Sequence, residues 1–336
     1  MYKNTHLIGK DSAVVNQILP HKEKWAWDLY LKGRANNWMP NDISMGKDIE
    51  QWRSNKLSED ERHIVRMVMG FFAGSESLVA NNLLVNIYRW ICDPECRTYL
   101  GHQHSEELNH NFTVVYICES LNLNPREIYN AYAEISSIKA KDQFLMDICR
   151  DINRPDFNIE SDEGKRELLR NIITYYILCE SMFFYSSFAA LLSFSRRNLM
   201  PGLTEQITYT LKDEGLHIEF GINLIKRIRE DYPNLWDEKF EEETKTHIIK
   251  TCELEIAFAK EAIPNGIMGL NSKMFMDYLY YLGNRRCEQI GLPLLFKETI
   301  NPFPWLMEVT DLPKMKNFFE TRVQEYSKSN LIDDLD

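Results

Sequence analysis

The sequence predicts an all-α protein, a bundle of about eight long helices. Two observations carry this. Gly and Pro together number only 26 of 336 residues, well below the ~12% of an average chain and too few for a turn-rich β fold. Helix start and stop signals recur along the whole chain, while strand alternation is scarce.

The elements follow in order. Residues 1–20 carry no strong pattern and are expected to form an N-terminal arm. Ser58 with Glu61 forms a capping box that opens a helix running to Val85 and beyond, with Gly70 and Gly74 as places where it can bend. Asp93-Pro94 supplies an N-cap and a first-turn proline for a second helix ending near Leu121. Asn124-Pro125 opens a third in the same way. A fourth begins near Ser161 and covers the apolar run to Arg197. Pro201 starts a fifth, which ends before Tyr232-Pro233. A sixth covers Trp236 to Ala262, closed by Pro264-Asn265-Gly266, and a seventh runs from about Ser272 to Gln289. Short connections favour antiparallel neighbours in one bundle. The expected organisation is an arm (1–20), one helical domain (21–320) and a tail (321–336).

Composition narrows the function. The chain is 44% apolar and 26% charged, which excludes a wholly disordered polypeptide. A net charge of −11 without a basic block gives no nucleic-acid footprint. Seven cysteines without a CxxC pair read as reduced thiols of a cytoplasmic protein. The run Ile172 to Phe194 is long enough to span a bilayer, but it holds Glu180 and ends at Arg196 and Arg197. It reads as a helix buried in protein, with no membrane partner.

Glu107 with His110, and Glu214 with His217, fall inside helices at a spacing of three, which puts each pair on one face. With 50 acids and eight histidines in the chain, roughly one such pair arises by chance. Asp60 with His63 has the same spacing but sits in a charged first turn, where acids suit the helix dipole. Two further acids change the weighing. Glu180 and Glu76 lie in apolar surroundings with no Lys or Arg within four residues. A buried carboxylate needs a partner, and a metal ion is a good one. One Glu from each of two helices plus Glu-x-x-His from two others is the set known from di-iron and di-manganese carboxylate proteins. Four carboxylates and two divalent ions cancel in charge. Hard oxygens with one imidazole per metal suit iron or manganese better than zinc or copper.

The segments that hold these residues are recognisable. KWAWDLYLKGRANNWMP (24–40), GFFAGSESLVANN (70–82), EELNHNFTVVYICESL (106–121), YYILCESMFFYSSF (175–188), LKDEGLHIEFGI (211–222), NPFPW (301–305) and FFETRVQEY (318–326) carry the resemblance. The chain resembles the small, radical-generating subunit of class I ribonucleotide reductase, most closely its chlamydial-type (class Ic) branch. The resemblance runs from about Ile18 to Tyr326.

It implies a ferritin-like bundle and a homodimer. It implies Glu76, Glu107 and His110 at one metal and Glu180, Glu214 and His217 at the other, with Glu107 and Glu214 able to bridge. O2 or a related oxidant charges the metal pair, and the oxidising equivalent passes to a separate catalytic subunit that reduces ribonucleotides. The implied electron path is His110, Asp213, Trp38 and Tyr326, and the acidic tail beyond Tyr326 docks on the catalytic subunit. Tyr209 resembles a residue used during cofactor activation in the chlamydial branch. Read without the family, Trp38 and Tyr209 are packing aromatics and Asp213 one more helix acid.

One position departs from the pattern. Most of the family stores the radical on a Tyr one helical turn after the metal-bound His, and the chlamydial branch has Phe there. Here it is Val114, on the His110 face. Tyr116 lies about 200° around the helix and is expected to face elsewhere. Valine cannot be reversibly oxidised, so the hole is expected to stay on the metals. This favours Mn/Fe over Fe/Fe, and Glu76 in place of the Asp common in tyrosyl-radical members agrees. The smaller side chain is also expected to leave O2 more room. The runner-up is a related Mn/Fe ligand-binding oxidase, which lacks the relay and the docking tail.

Overall fold

The computed structural model describes residues 6–10, 16–149, 152, 154–267 and 269–306. Its helices are α1 (Lys24–Ala35), α2 (Gly46–Arg53), α3 (Glu59–Asn82), α4 (Pro94–Leu121), α5 (Pro125–Tyr129), α6 (Ala131–Glu134), α7 (Ser136–Ile148), α8 (Asp162–Ile173), α9 (Phe184–Leu192), α10 (Pro201–Asp231), α11 (Glu238–Ala262) and α12 (Ser272–Ile290). Among the described residues there is no strand, only two isolated bridges, Ile8 with Ile91 and Ile267 with Leu270. Through the first of these, residues 7–9 of the expected arm lie against residues 90–92, and Leu7 and Ile8 are buried.

The caps expected at Ser58, Asp93 and Ser161 are formed, and Asp237 and Asn271 add two that the sequence reading did not name. Ser58 and Glu61 make the reciprocal capping box of α3. The side chains of Asp93, Ser161, Asp237 and Asn271 each accept a backbone N–H at the start of α4, α8, α11 and α12. Helix α10 has no cap of its own. Its first amides, Gly202 and Leu203, donate to the buried carboxylate of Asp48 on α2 at 2.8 Å each. No local motif announces that long-range cap.

Asn124 accepts the Arg126 N–H and opens a helix as expected, but a short one: α5 ends at Tyr129, and α6 and α7 follow as separate helices. Ile135 turns extended before α7, and Ala131 seats directly on α3, where a Cβ at Gly70 would lie 2.7 Å from the Ala131 Cβ. Gly70 therefore serves close packing, and α3 continues through it and Gly74 without a break. The α8–α9 rod is not uniformly α-helical. Its middle, Thr174–Phe183, is a π-helix of ten residues, and α3 likewise ends in a π turn, Leu83–Ile87. Wide turns of this kind collect at functional sites, and the first one holds Glu180.

The core lies where α3, α4, α10 and the π segment meet, with α1 against α4 and α11 and α12 behind. The apolar stretch within Asp162–Arg197 is 94% buried in this core. Protein thus surrounds the helix that by length alone could cross a bilayer. All seven cysteines are free.

Candidate metal centre

Helices α3, α4 and α10 and the π segment each turn acids inward. Glu76, Glu107, Glu180, Glu214, His110 and His217 are all buried. Donor atoms of Glu76, Glu107, His110 and Glu214 lie within 4.8 Å of one another, as do those of Glu107, Glu180 and His217. Glu107 has Oε2 3.7 Å from His110 Nδ1 and Oε1 3.2 Å from His217 Nδ1. Glu214 has Oε1 3.3 Å from His110 Nδ1 and Oε2 3.1 Å from His217 Nδ1. Each of these two carboxylates therefore spans both imidazoles, while Glu76 and Glu180 close the two ends.

The donor set fits two cations. Glu76 Oε2, Glu107 Oε2, Glu180 Oε2, Glu214 Oε1 and His110 Nδ1 are buried without a hydrogen-bond partner, an arrangement that costs several kcal/mol unless something positive answers it. Burial pushes Glu76 and Glu180 well above the usual carboxylate range. Burial disfavours the imidazolium of His110 and His217, yet the acids around them outweigh it and raise both well above the ordinary value. Protons neutralise the cluster when no cation does, and metal binding releases them.

Both imidazoles turn Nδ1 to the cluster and Nε2 outward. His110 Nε2 lies 3.3 Å from Asp213 Oδ2, and the same oxygen accepts the Trp38 indole N–H at 2.7 Å. Burial raises Asp213, with His110 and Trp38 pulling the other way. Tyr209 stacks on Trp38, ring centroids 5.3 Å apart. Val114, one turn after His110 on α4, is buried in the apolar core. Tyr116 points away and donates to Ile43 O at 3.0 Å. Asp60 and His63 do not join: His63 meets the Glu261 carbonyl and Asp60 accepts from Asn265. Tyr326 and the tail fall outside the described residues.

Several residues of the site escaped the sequence reading. Gln103 Nε2 lies 3.2 Å from Glu107 Oε1, 3.2 Å from Glu180 Oε1 and 3.1 Å from Tyr175 Oη. Tyr175 donates to Glu107 at 3.0 Å, and Tyr176 donates to Gln103 at 2.9 Å. Glu106 lies 3.0 Å from His217 Nε2. Burial opposes ionisation of Glu106, but His102 and His217 beside it prevail and hold it down to about 2. Gln103 sits one turn before Glu107 on the same face, a signal that helical spacing offers.

Comparison with known proteins adds the following. The model of the ribonucleotide reductase small chain family matches residues 15–302. The ribonucleoside-diphosphate reductase subunit beta of Chlamydia pneumoniae is 48% identical over 95% of this chain and 92% of its own. The ribonucleotide reductase R2 subunit of Clostridium botulinum superposes with a TM-score of 0.79 at 28% identity, covering 87% of this chain and 89% of the other. An R2-like ligand-binding oxidase variant with an aerobically reconstituted Mn/Fe cofactor shares the fold at a TM-score of 0.64 and 19% identity, over 81% of this chain and 95% of its own.

Proposed function

We propose that this chain, which belongs to the ribonucleotide reductase small chain family, is a chlamydial-type radical-generating subunit whose oxidant resides at a mixed Mn/Fe centre. Glu76, Glu107 and His110 would hold one ion, and Glu180, Glu214 and His217 the other, with Glu107 and Glu214 shared. When bound, that centre supplies, with O2, the one-electron oxidising power, and Fe/Fe is the alternative pairing.

The single observation that carries the reading is the unbroken contact from His110 through Asp213 to Trp38. Trp38 can give up an electron toward the centre while its indole proton already rests on the Asp213 acceptor. Asp213 also holds His110 by Nε2, leaving Nδ1 for the metal. Tyr326 would continue the path into the catalytic subunit, which the acidic tail would engage, and two copies of the chain would form the working dimer. Val114 supports a metal-held oxidant, because no phenol stands one turn beyond His110. The aliphatic side chain there offers no oxidisable group, so any tyrosyl alternative would fall to Tyr175, whose phenol donates to Glu107.

Metal content after anaerobic loading with Mn(II) plus Fe(II) and exposure to air tests the assignment. One Mn and one Fe per chain, with no long-lived organic radical signal, is the expected result. Two Fe with little Mn, or a tyrosyl signal, overturns the Mn/Fe reading and leaves the dinuclear site standing.

A further inference from the structure

The two histidines of the centre are held from behind by different devices. The outer nitrogen of His110 meets Asp213, whose oxygen continues to Trp38. The outer nitrogen of His217 meets Glu106 Oε2 at 3.0 Å. An ionised carboxylate only accepts, so His217 Nε2 carries a hydrogen whether or not a cation is present, and it is Nδ1, facing Glu107 and Glu214, that would give up its proton to a metal. The second oxygen, Glu106 Oε1, lies 3.1 Å from His102 Nε2, an ion-pair contact in which that nitrogen is not aligned for a hydrogen bond. His102 sits one helical turn before Glu106 on α4.

His102 is itself fixed from outside. Its ring meets the Tyr30 ring edge-on, centroids 5.6 Å apart at 89°. It also lies against α1 at Gly33, where a Cβ would fall 2.6 Å from His102 Nε2. A residue larger than glycine there would push His102 off Glu106. The sequence of contacts is therefore α1, His102, Glu106, His217, then the acid cluster. It runs beside the path from Trp38 through Asp213 to His110, and both open on one cleft of about 280 Å³ lined by Trp38, His102, Glu106 and Asp213.

We infer that Glu106, braced by His102, is a positioning residue for His217 and sets the affinity of the His217 metal position separately from that of the His110 position. The inference rests on the dinuclear reading above. An outer carboxylate fixes the tautomer and ring plane of a ligating imidazole and makes it a stronger donor, and losing one lowers affinity roughly 10–100-fold. The two positions differ in this respect. Behind His110 the carboxylate also holds an indole, and behind His217 it faces a second imidazole. In the first arm the indole of Trp38 sits directly on the carboxylate, while in the second the carboxylate meets only an imidazole, with the Tyr30 ring one contact further out.

The test is an anaerobic binding isotherm with Mn(II) alone on the full chain. The wild type is expected to take up two ions, and a chain that does not bind two defeats the dinuclear reading itself. With two bound in the wild type, Glu106→Leu is expected to weaken one site roughly 10–100-fold and leave the other in place. Glu106→Gln, which keeps volume and an acceptor oxygen, is expected to restore part of the loss, and it provides a folded chain if the leucine variant does not fold. His102→Phe is expected to weaken the same site by a smaller factor, with no further loss when Glu106 is already Leu. Asp213→Leu is expected to weaken the other site instead. An unchanged isotherm for Glu106→Leu overturns the inference, as does equal weakening of both sites. Full additivity of His102→Phe with Glu106→Leu removes the brace from it.

Discussion

Lys141 and Glu255 form a fully buried ion pair, Nζ to Oε2 2.5 Å, that ties α7 to α11 beneath the metal site. Ser186 of α9 donates to the other Glu255 oxygen. The ammonium lies 3.4, 4.1 and 4.6 Å from the ring centroids of Phe71, Phe258 and Phe183, a cage that favours a cation. Burial pushes Lys141 down and Glu255 up, and the pairing pulls each back. Lys141→Met removes the cation and leaves Glu255 in the dark interior. Its cheapest state is then the neutral acid. Protonating a carboxyl of ordinary value 4.5 at pH 7 costs about 3.4 kcal/mol at 1.36 kcal/mol per pH unit. This agrees with the ~3–5 kcal/mol typical of breaking a buried pair.

The same argument fixes a pH dependence. Between pH 4.5 and 7 the folded variant holds a proton that its unfolded chain has released. Its deficit against wild type should therefore shrink by about 1.36 kcal/mol for each unit the pH falls, until the ordinary value is reached. Lys141→Met with Glu255→Leu removes both charges and should regain most of the loss; Ser186 retains the Phe183 carbonyl as an acceptor. Urea unfolding of the two single variants and the double variant at pH 5, 6 and 7 measures all of this. A Lys141→Met deficit under ~1 kcal/mol, or a double variant no better than the sum of the singles, refutes the reasoning.

Two further outcomes are expected. Asp142 is buried with neither carboxylate oxygen hydrogen-bonded, and burial pushes it up to about 7 despite the neighbouring Lys141. The folded state thus keeps a proton that the unfolded chain loses above ~4, so the Asp142 contribution to wild-type stability should fall as pH rises from about 4 to 7. Asp142→Asn should remove that share of the pH dependence, on the order of 4 kcal/mol across the window at most, in denaturant titrations of both chains at stepped pH. Trp38→Phe deletes the indole N–H on Asp213. It should leave metal content unchanged but abolish turnover with the catalytic subunit, and retained turnover would break the proposed path.

How much of this was legible beforehand differs from element to element. Ser58, Asp93 and Ser161 announced α3, α4 and α8 because a side-chain cap is a local device: its donor and acceptor lie within three residues. The start of α1 carried no such mark. Glu23 makes no capping hydrogen bond there, and the helix is held by packing on α4. The breaks between α5, α6 and α7 go with the seating of Ala131 on α3 at Gly70, a contact that nothing near Asn124 records. The π turns were equally hidden, since periodicity does not distinguish a turn widened by one residue within a mostly apolar run.

The metal centre divides along the same line. The sequence alone determined which groups must meet. Glu76 and Glu180 in apolar stretches need a partner, and the two Glu-x-x-His pairs each present a face ready to supply one. These requirements follow from helical spacing and the cost of burying charge, both local. The tertiary structure decided what stands behind them. Gln103, Tyr175, Tyr176, Glu106, His102 and the reach of Trp38 to Asp213 depend on how α1, α4, the π segment and α10 pack. Trp38 and Asp213 are 175 residues apart in the chain and 2.7 Å apart in space. A hydrogen bond of that separation is fixed by the relative placement of helices, and helix placement is a property of the whole core.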